Sequence, residues 1–239
     1  MKVAYLIEPP FNFLDASGAV TGCDIELARY VFNQLGIEDV TFVETEFAQL
    51  MPGLACDDWQ MTTGLFASPE RQQHALFSRP IWALPDGLLI RTADGDRIMG
   101  YRSLGTSADL QVAVIRDQLQ HPTALALGVP PDRFLVFDTY ANAAHAVQIG
   151  KAHAFASVAR AHLGFLQQSD AHDFAIVEIP PDEKPAAFGC FGFAHPATKL
   201  RDRVDRALDQ FIGGSQHRQL MKRFGFEEEE VDLLGTFGR

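Results

Sequence analysis

The chain has 239 residues, of which 47% are apolar, enough to bury one large core or two smaller ones. Its formal net charge of −11 argues against nucleic acids and anionic membrane surfaces as partners, because both require clustered Lys and Arg, but it leaves a small ligand open. The three cysteines, Cys23, Cys56 and Cys190, are far apart and form no CxxC pattern. We therefore expect three free thiols, with one disulfide plus a spare thiol as the alternative.

The sequence contains neither a membrane span nor a recognisable leader. No apolar run approaches the ~20 residues that a spanning helix needs. After Met1 and Lys2, the segment VAYLI runs directly into EPPF, without an apolar leader core or a small-residue cleavage site. We expect a periplasmic or extracellular protein whose leader is absent from this chain, or a cytoplasmic protein if the chain is complete.

Strand-like and helix-like segments alternate at the start of the chain. The segment CDIELARYVFNQLG has an apolar helical face and stops at Gly36, as a helix closed by a glycine does. In chain order we expect a strand in KVAYLI, this helix, a strand in DVTFVET, a short helix in FAQLMPGLA, a strand in WQMTTG and a helix starting in LFASPERQQH. Strands separated by helices predict a mostly parallel sheet covered on both faces.

The last of these segments has an unusual residue at its predicted helix start. Ser68 can cap free backbone N–H groups, and Pro69 has the φ that suits a first helical position. Arg71 then lies in the first turn, where a capping box carries Glu or Gln. A cation there faces the positive end of the helix dipole, at a cost of roughly 0.3–1 kcal/mol. The predicted fold alone does not explain this arginine.

The alternation restarts after DGLLIRTADGD, where an apolar strand precedes a polar, glycine-containing segment that suits a hinge or linker. In chain order we expect a strand in LQVAVI, a helix near TALALG, a strand in RFLVFDT, a helix in YANAAHAVQIG, a strand in AHAFAS, a helix in RAHLGFLQQ, a strand in AAFGCFGFAH and two closing helices. The first closing helix carries Leu200, Val204, Leu208 and Phe211 on one face, and the second lies within GGSQHRQLMKRFGF. The acidic run EEEE is typical of a solvated surface.

Motifs of the best-known enzyme classes are missing: the sequence has no GxGxxG, Walker loop, GxSxG or HExxH. His145, His153 and His162 have no Cys or acid beside them at ligand spacing, so we expect neither a metal nor another cofactor. Trp59 and Trp82 lie next to strand-like runs, which favours a place in the core.

Three blocks of the sequence resemble one known family. The blocks EPPFNFLDASGAVTGCDIELA, FAQLMPGL and LFASPERQQHALFSRPIW resemble successive signatures of the type II extracellular solute-binding proteins, family 3, which are amino-acid receptors of ABC importers. The resemblance implies a two-lobed α/β clamshell, in which each lobe is a mostly parallel sheet flanked by helices and the ligand lies in the cleft. Lobe 1 would comprise residues 1–90 and 188–239, lobe 2 residues 91–187, and GLLIR and GCFGF would be the hinge crossovers.

The same resemblance implies a monomeric, non-enzymatic receptor that binds a small zwitterion, works with ABC-importer membrane subunits and does not bind nucleic acid. In this family the arginine of the TPER-like motif clamps the ligand's α-carboxylate, which assigns that role to Arg71. By the same match, the carbonyl of Gly64 accepts from a ligand N–H, and the backbone N–H of Phe66 helps to hold the carboxylate. The start of the predicted helix adds further N–H donors.

Glu8, Phe11, Phe47, Phe66 and Arg71 together have the spacing of the pocket in the ectoine and hydroxyectoine receptor branch. Three aromatic faces attract a delocalised cation, each by ~0.5–2 kcal/mol when desolvated. Glu8 would pair with the ligand's N–H and Arg71 with its carboxylate. The predicted ligand is therefore an amino acid or an ectoine-like compatible solute.

The sequence departs from the amino-acid receptors in lobe 2. Their aspartate for the ligand's ammonium aligns with Val158, next to Ser157, and no acid is nearby. A buried cation without a partner is costly. We expect the lobe 2 contacts to come instead from Arg116, Asp117 and Gln120, in the loop and helix start after VAVI.

Two other functions stay open from the sequence. The fold also resembles the cyclohexadienyl dehydratases, which need a carboxylate as general acid. Glu8 and Asp117 are the candidates, and neither aligns with the acid expected in lobe 2. The chain could also be the ligand-binding sensory domain of a larger receptor.

Overall fold

The computed structural model describes residues 1–169 and 172–237. Its strands are β1 (Lys2–Tyr5), β2 (Phe13–Leu14), β3 (Val20–Thr21), β4 (Thr41–Glu44), β5 (Met61–Phe66), β6 (Ala75–Leu84), β7 (Asp86–Arg91), β8 (Val112–Ile115), β9 (Phe134–Phe137), β10 (Ala154–Val158), β11 (Phe174–Glu178) and β12 (Ala187–Ala194). Its helices are α1 (Cys23–Gln34), α2 (Leu50–Ala55), α3 (Tyr101–Thr106), α4 (Gln120–Ala126), α5 (Tyr140–Gln148), α6 (Ala159–Gln168), α7 (Thr198–Phe211), α8 (Ser215–Arg223) and α9 (Glu228–Asp232). None of these helices is long and apolar enough to span a membrane.

The chain forms two compact units. The first consists of Met1–Ala83 and Phe188–Arg239, and the second consists of Leu84–Ala187. The first boundary predicted from the sequence follows residue 90, whereas in the structure the second unit already begins at Leu84. The reason is that β7 pairs on both sides with strands of the second unit, β10 and β11.

The first unit is built on a sheet with the strand order β4-β1-β5-β12-β6. Strand β1 is parallel to both β4 and β5, whereas β12 runs antiparallel to β5. A buried apolar cluster on this unit includes Leu50, Leu54, Leu65 and Trp59. The Trp59 indole N–H donates to the Leu50 carbonyl at 3.1 Å, so the prediction that Trp59 belongs to the core is confirmed.

The second unit is built on a sheet with the strand order β11-β7-β10-β8-β9. Strand β8 is parallel to β9 and β10, and β7 is antiparallel to both of its neighbours. Both sheets are therefore more mixed than the predicted mostly parallel sheets. The antiparallel neighbours arise at β7 and β12, the strands that begin where the chain passes between the units.

Most predicted elements are present, and the main error is the helix expected in LFASPERQQH. The structure has a single 3₁₀ turn there, Arg71–Gln73, and β6 begins two residues later at Ala75. The turn is too short to have a helix dipole, so the predicted cost of placing a cation at a helix start does not arise. Elements that were not predicted from the sequence are β2, β3, β6, α3, β11 and α9. The acidic run Glu227–Glu230 is largely exposed, and it starts α9 with a reciprocal capping box.

Candidate functional site

The candidate site on the first unit contains a buried tryptophan that connects two of the predicted aromatic residues. The Trp82 ring centroid lies 5.2 Å from that of Phe11 and 5.4 Å from that of Phe66. These are the distances and the tilted and edge-on arrangements that aromatic pairs prefer. Trp82 is 6% exposed, so its predicted burial is confirmed, but the sequence analysis missed its contact with the candidate site.

Two glycines make room for this indole. A Cβ added at Gly189 would come within 2.2 Å of the Trp82 ring, and one added at Gly64 within 2.6 Å. Gly64 and Gly189 lie on the neighbouring strands β5 and β12. The Trp82 ring therefore packs directly on the backbone of these two strands. We call this surface, formed by Gly64 and Gly189, the glycine bed.

A buried acid anchors the same indole. Asp24, in the first turn of α1, is 1% exposed, and its Oδ1 accepts the Trp82 indole N–H at 3.0 Å. Its Oδ2 accepts the backbone N–H of Gly64 at 2.8 Å. Burial raises the pKa of Asp24 to about 6, while both hydrogen bonds act in the opposite direction. Gly64 is predicted to bind the ligand through its carbonyl, and in the structure its N–H donates to the Asp24 carboxylate.

Arg71 is held by contacts that local sequence explains. Its backbone N–H donates to the Ser68 hydroxyl at 3.2 Å, so Ser68 caps the turn as predicted. Its Nη1 donates to the Phe66 carbonyl at 3.1 Å, and its guanidinium carbon lies 5.2 Å from the centroid of the Phe47 ring. Because Phe66 also contacts Trp82, an unbroken series of contacts joins Phe47, Arg71, Phe66, Trp82 and Phe11.

Glu8 and Phe11 occupy one tight turn. The backbone N–H of Glu8 donates to the Asn12 carbonyl at 2.9 Å, and the Phe11 N–H donates to the Glu8 carbonyl at 3.0 Å. The Asn12 amide donates to the Thr63 hydroxyl at 3.4 Å, which ties the turn to β5. Glu8 is 9% exposed and Phe11 is 3% exposed. The structure thus fixes the backbone of both residues next to the strand that carries Gly64 and Phe66.

The predicted residues of the second unit lie close together in sequence but have separate partners. Arg116 Nε donates to Asp138 Oδ1 at 2.6 Å, and both side chains are about half exposed. Asp117, directly after it, has a φ of 63°, a left-handed conformation that Asp tolerates better than most residues. Gln120 is 2% exposed, and its amide donates to Asp86 Oδ1 at 3.0 Å. Val158 ends β10 and lies at the start of α6.

Asp86 is the centre of a buried polar cluster that the sequence analysis missed. It is fully buried at the start of β7, and it accepts hydrogen bonds from the Gln120 amide, the Tyr101 hydroxyl at 2.8 Å and Lys184 Nζ at 2.6 Å. Such a cluster requires partners far apart in sequence, here at positions 86, 101, 120 and 184. In the sequence, the local sign of this cluster is an acid, Asp86, at the start of the apolar strand segment DGLLI.

Two of the three histidines considered as metal ligands have other roles. His162 is fully buried, its Nε2 donates to the Gly87 carbonyl at 3.1 Å, and its Nδ1 accepts from the Tyr140 hydroxyl. Burial lowers the pKa of His162 to about 4, so it is neutral at pH 7. His153 Nδ1 accepts the Gln111 backbone N–H at 3.0 Å. Within residues 1–169 and 172–237, no group of three or more His, Cys, Asp or Glu side chains is placed to hold a metal ion.

Comparison with known proteins identifies the family. The sequence profile of the bacterial extracellular solute-binding proteins, family 3, matches residues 1–228. The chain belongs to this family. A probable amino-acid ABC transporter periplasmic-binding protein of Sinorhizobium fredii is 29% identical to this solute-binding protein over 240 residues, which cover 98% of this chain and 79% of the relative. The expectation of a binding protein rather than an enzyme is thereby confirmed.

Solved structures share the fold of this family 3 protein. The crystal structure of EhuB in complex with hydroxyectoine has a TM-score of 0.86 at 23% identity, and covers 96% of this chain and 90% of that chain. The ancestral amino acid-binding protein AncCDT-1, described as a precursor of cyclohexadienyl dehydratase, has a TM-score of 0.81 at 22% identity and covers 94% of each chain. The predicted α/β fold class of the periplasmic binding proteins is confirmed.

Proposed function

We propose that this solute-binding protein captures a small zwitterion, an amino acid or an ectoine-like compatible solute, for an ABC importer. In this proposal Arg71 binds the ligand's carboxylate, and Glu8 accepts a hydrogen bond from its cationic N–H group. Phe11, Phe47 and Phe66 provide aromatic faces for the delocalised positive charge. The membership of the family supports the receptor role, and the contacts around Arg71 support the ligand class.

The observation that carries the proposal is the prepositioning of Arg71 among aromatic rings. Its guanidinium is oriented by the Phe66 carbonyl and by the Phe47 ring. An oriented guanidinium loses less side-chain entropy when it binds a carboxylate, and a bidentate, charge-assisted pair is among the stronger hydrogen-bonded contacts. Because rings lie beside the anion-binding group, a ligand with both charges close together suits the cluster better than a simple anion.

Glu8 supplies the opposite charge on the same unit. Its side chain is nearly buried, in a turn that also carries Phe11. This position compensates for the second unit, where Val158 and Ser157 replace the acid expected for an ammonium. On the second unit, we retain Arg116 and Asp117 as ligand contacts, and we assign to Gln120 the role of holding Asp86.

A ligand screen tests the proposal directly. Thermal shift is measured with ectoine, hydroxyectoine, glycine betaine, L-glutamate, L-glutamine and L-arginine, because a ligand that binds only the folded protein raises the melting temperature. Hydroxyectoine is included because EhuB was crystallised with it. A melting temperature that no zwitterion raises would refute the proposed ligand class.

The role of Arg71 is tested by calorimetry with the zwitterion that gives the largest shift. Arg71→Ala should weaken binding by at least about thirtyfold, since truncating one partner of a desolvated charge pair costs about 2–5 kcal/mol. Arg223→Ala is the matched control, because Arg223 makes a similar contact in the same unit, 5.7 Å from the Phe224 centroid. Equal affinity of Arg71→Ala and Arg223→Ala would show that the carboxylate binds elsewhere.

A further inference from the structure

Asp24 is an ionisable group in a position where burial works against its charge. Its carboxylate is almost completely buried, and burial raises its pKa to about 6. Two neutral N–H donors converge on it, from Gly64 on β5 and Trp82 on β6. An ionised carboxylate can accept at both oxygens, whereas an amide has one acceptor oxygen and would place an NH₂ group against one of the two donors. The chemistry of the two donors therefore requires an acid here.

The indole that Asp24 holds is also fixed on its other sides. The ring lies against the glycine bed of β5 and β12, and it packs against Phe11 in a tilted arrangement and against Phe66 in a T-shaped one. Without the bond to Asp24, the indole N–H would be a buried donor with no acceptor, and the ring could turn away from the two phenylalanines. The rotation of the indole within its own plane thus depends on the Asp24 carboxylate, which is not a member of the series of contacts around Arg71.

We propose that Asp24 is a positioning residue of the ligand site: its carboxylate fixes the Trp82 indole and the Gly64 backbone, and thereby the ring faces of Phe11 and Phe66. This inference rests on the proposed function of those rings. Asp24 acts through Trp82 and does not itself touch the ligand. A proton on Asp24 makes the carboxyl group neutral and turns one of its oxygens into a hydroxyl, so both N–H donors lose a charged acceptor and the hold on the indole weakens.

Among the residues that the structure describes, the groups hydrogen-bonded to the Asp24 carboxylate leave Asp24 as the one that titrates near pH 6. The Cys23 thiol on α1 lies 3.5 Å from Oδ1, and burial raises the pKa of this thiol well above its usual range. The two other groups that contact the carboxylate, the Gly64 amide and the Trp82 indole, are neutral donors. Ligand affinity should therefore fall as the pH drops through about 6.

The first experiment needs no ligand. The protein is labelled with ¹⁵N-tryptophan, and its two indole N–H resonances are followed from pH 7.5 to 5; Trp82→Phe assigns them. We expect the Trp82 resonance to shift with a midpoint near pH 6, and the Trp59 resonance, whose N–H donates to a neutral carbonyl, to stay unchanged. Asp24→Asn should abolish the titration. A Trp82 resonance that does not respond to pH in the wild type would overturn the inference. Because this measurement uses the wild-type protein, it does not depend on whether a variant of Asp24 folds.

The second experiment measures hydroxyectoine binding by calorimetry for Asp24→Asn, Trp82→Phe and the double variant. Each single variant should lose about tenfold in affinity, and the double variant should be no weaker than either, because both changes break one linkage. Glu26 is a partly exposed acid in the same turn of α1, and Glu26→Gln should bind as the wild type does. Additive losses, or full affinity of Asp24→Asn at pH 7.5, would overturn the positioning role.

The two experiments separate this inference from the proposed function. If the wild type binds hydroxyectoine and Asp24→Asn binds it equally well, the proposed function stands and the positioning role is refuted. If the wild type binds neither hydroxyectoine nor another zwitterion of the screen, the proposed function fails together with the ligand part of this inference. The indole titration then still decides whether Asp24 holds Trp82.

Discussion

A single methyl group at Gly189 tests whether the glycine bed sets the position of Trp82. In Gly189→Ala, the added Cβ would lie 2.2 Å from Cη2 and 2.3 Å from both Cζ2 and Cζ3 of the indole. Carbon atoms in contact need about 3.5–4.0 Å, so the ring must retreat by more than about 1 Å. Its N–H is tied to Asp24, which opposes that movement. We expect a loss of about 3 kcal/mol, the upper end of the usual range for overpacking.

Tryptophan fluorescence during urea unfolding is the assay, because Trp59 and Trp82 both lie in the first unit and their signal reports on that unit alone. Gly235→Ala is the matched control, since an added Cβ there meets nothing within 4 Å. Trp82→Phe combined with Gly189→Ala should recover part of the loss, because the smaller ring leaves room for the methyl group. If Gly189→Ala unfolds at the same urea concentration as Gly235→Ala, the indole does not rest on this glycine and the reasoning fails.

Two further predictions concern buried polar and sulfur groups. Lys184→Met should destabilise the second unit by about 3–5 kcal/mol, measured by circular dichroism in urea, because it leaves the buried Asp86 carboxylate without its cation. The exposed pair of Arg102 with Asp182 provides the contrast, and Arg102→Met should change stability by less than about 1 kcal/mol. In a thiol-reagent titration, Cys56 should react in the native protein and Cys23 and Cys190 only after unfolding, since Cys56 is exposed and the other two are buried. Fewer than three reactive thiols in denaturant would contradict the free state of these cysteines.

Those features of the candidate site that depend on neighbouring residues could be predicted from the sequence. Arg71 stands out because a cation follows a Ser-Pro pair, and Ser68 caps that turn in the structure as predicted. The helix expected after it fails, because helix-start signals act over three or four residues and do not report that a ten-residue strand, β6, begins at Ala75. The apolar runs next to Trp59 and Trp82 likewise predict that both tryptophans are buried, because such runs can be recognised from neighbouring residues in the sequence.

The contacts between distant segments could not be predicted in this way. The Asp24–Trp82 bond joins residues 58 positions apart, and the Asp86–Lys184 pair joins residues 98 positions apart. An acid in the first turn of a helix and a glycine in a strand each have ordinary local explanations. Their role in holding Trp82 can be recognised only in the fold, where β5, β12 and the start of α1 all contact its indole.

In the first unit, the effect of pH on stability that comes from the buried Asp24 is opposed by that of the buried His217. Burial raises the pKa of Asp24 from 3.8 to about 6, so between about pH 6 and 4 the folded unit holds a proton that the unfolded chain does not, and stability rises as the pH falls. Burial, and then Arg218, lowers the pKa of His217 from 6.5 to about 4, so stability falls over nearly the same window. Each pKa shift changes the free energy of unfolding by ~3 kcal/mol, and the two effects offset each other. Asp24→Asn removes the first effect alone, so we expect this variant to lose stability between pH 6.5 and 4.5 faster than the wild type in urea unfolding. Parallel pH profiles of the two proteins would show that Asp24 is already ionised without cost, and that its carboxylate is less buried than the structure implies.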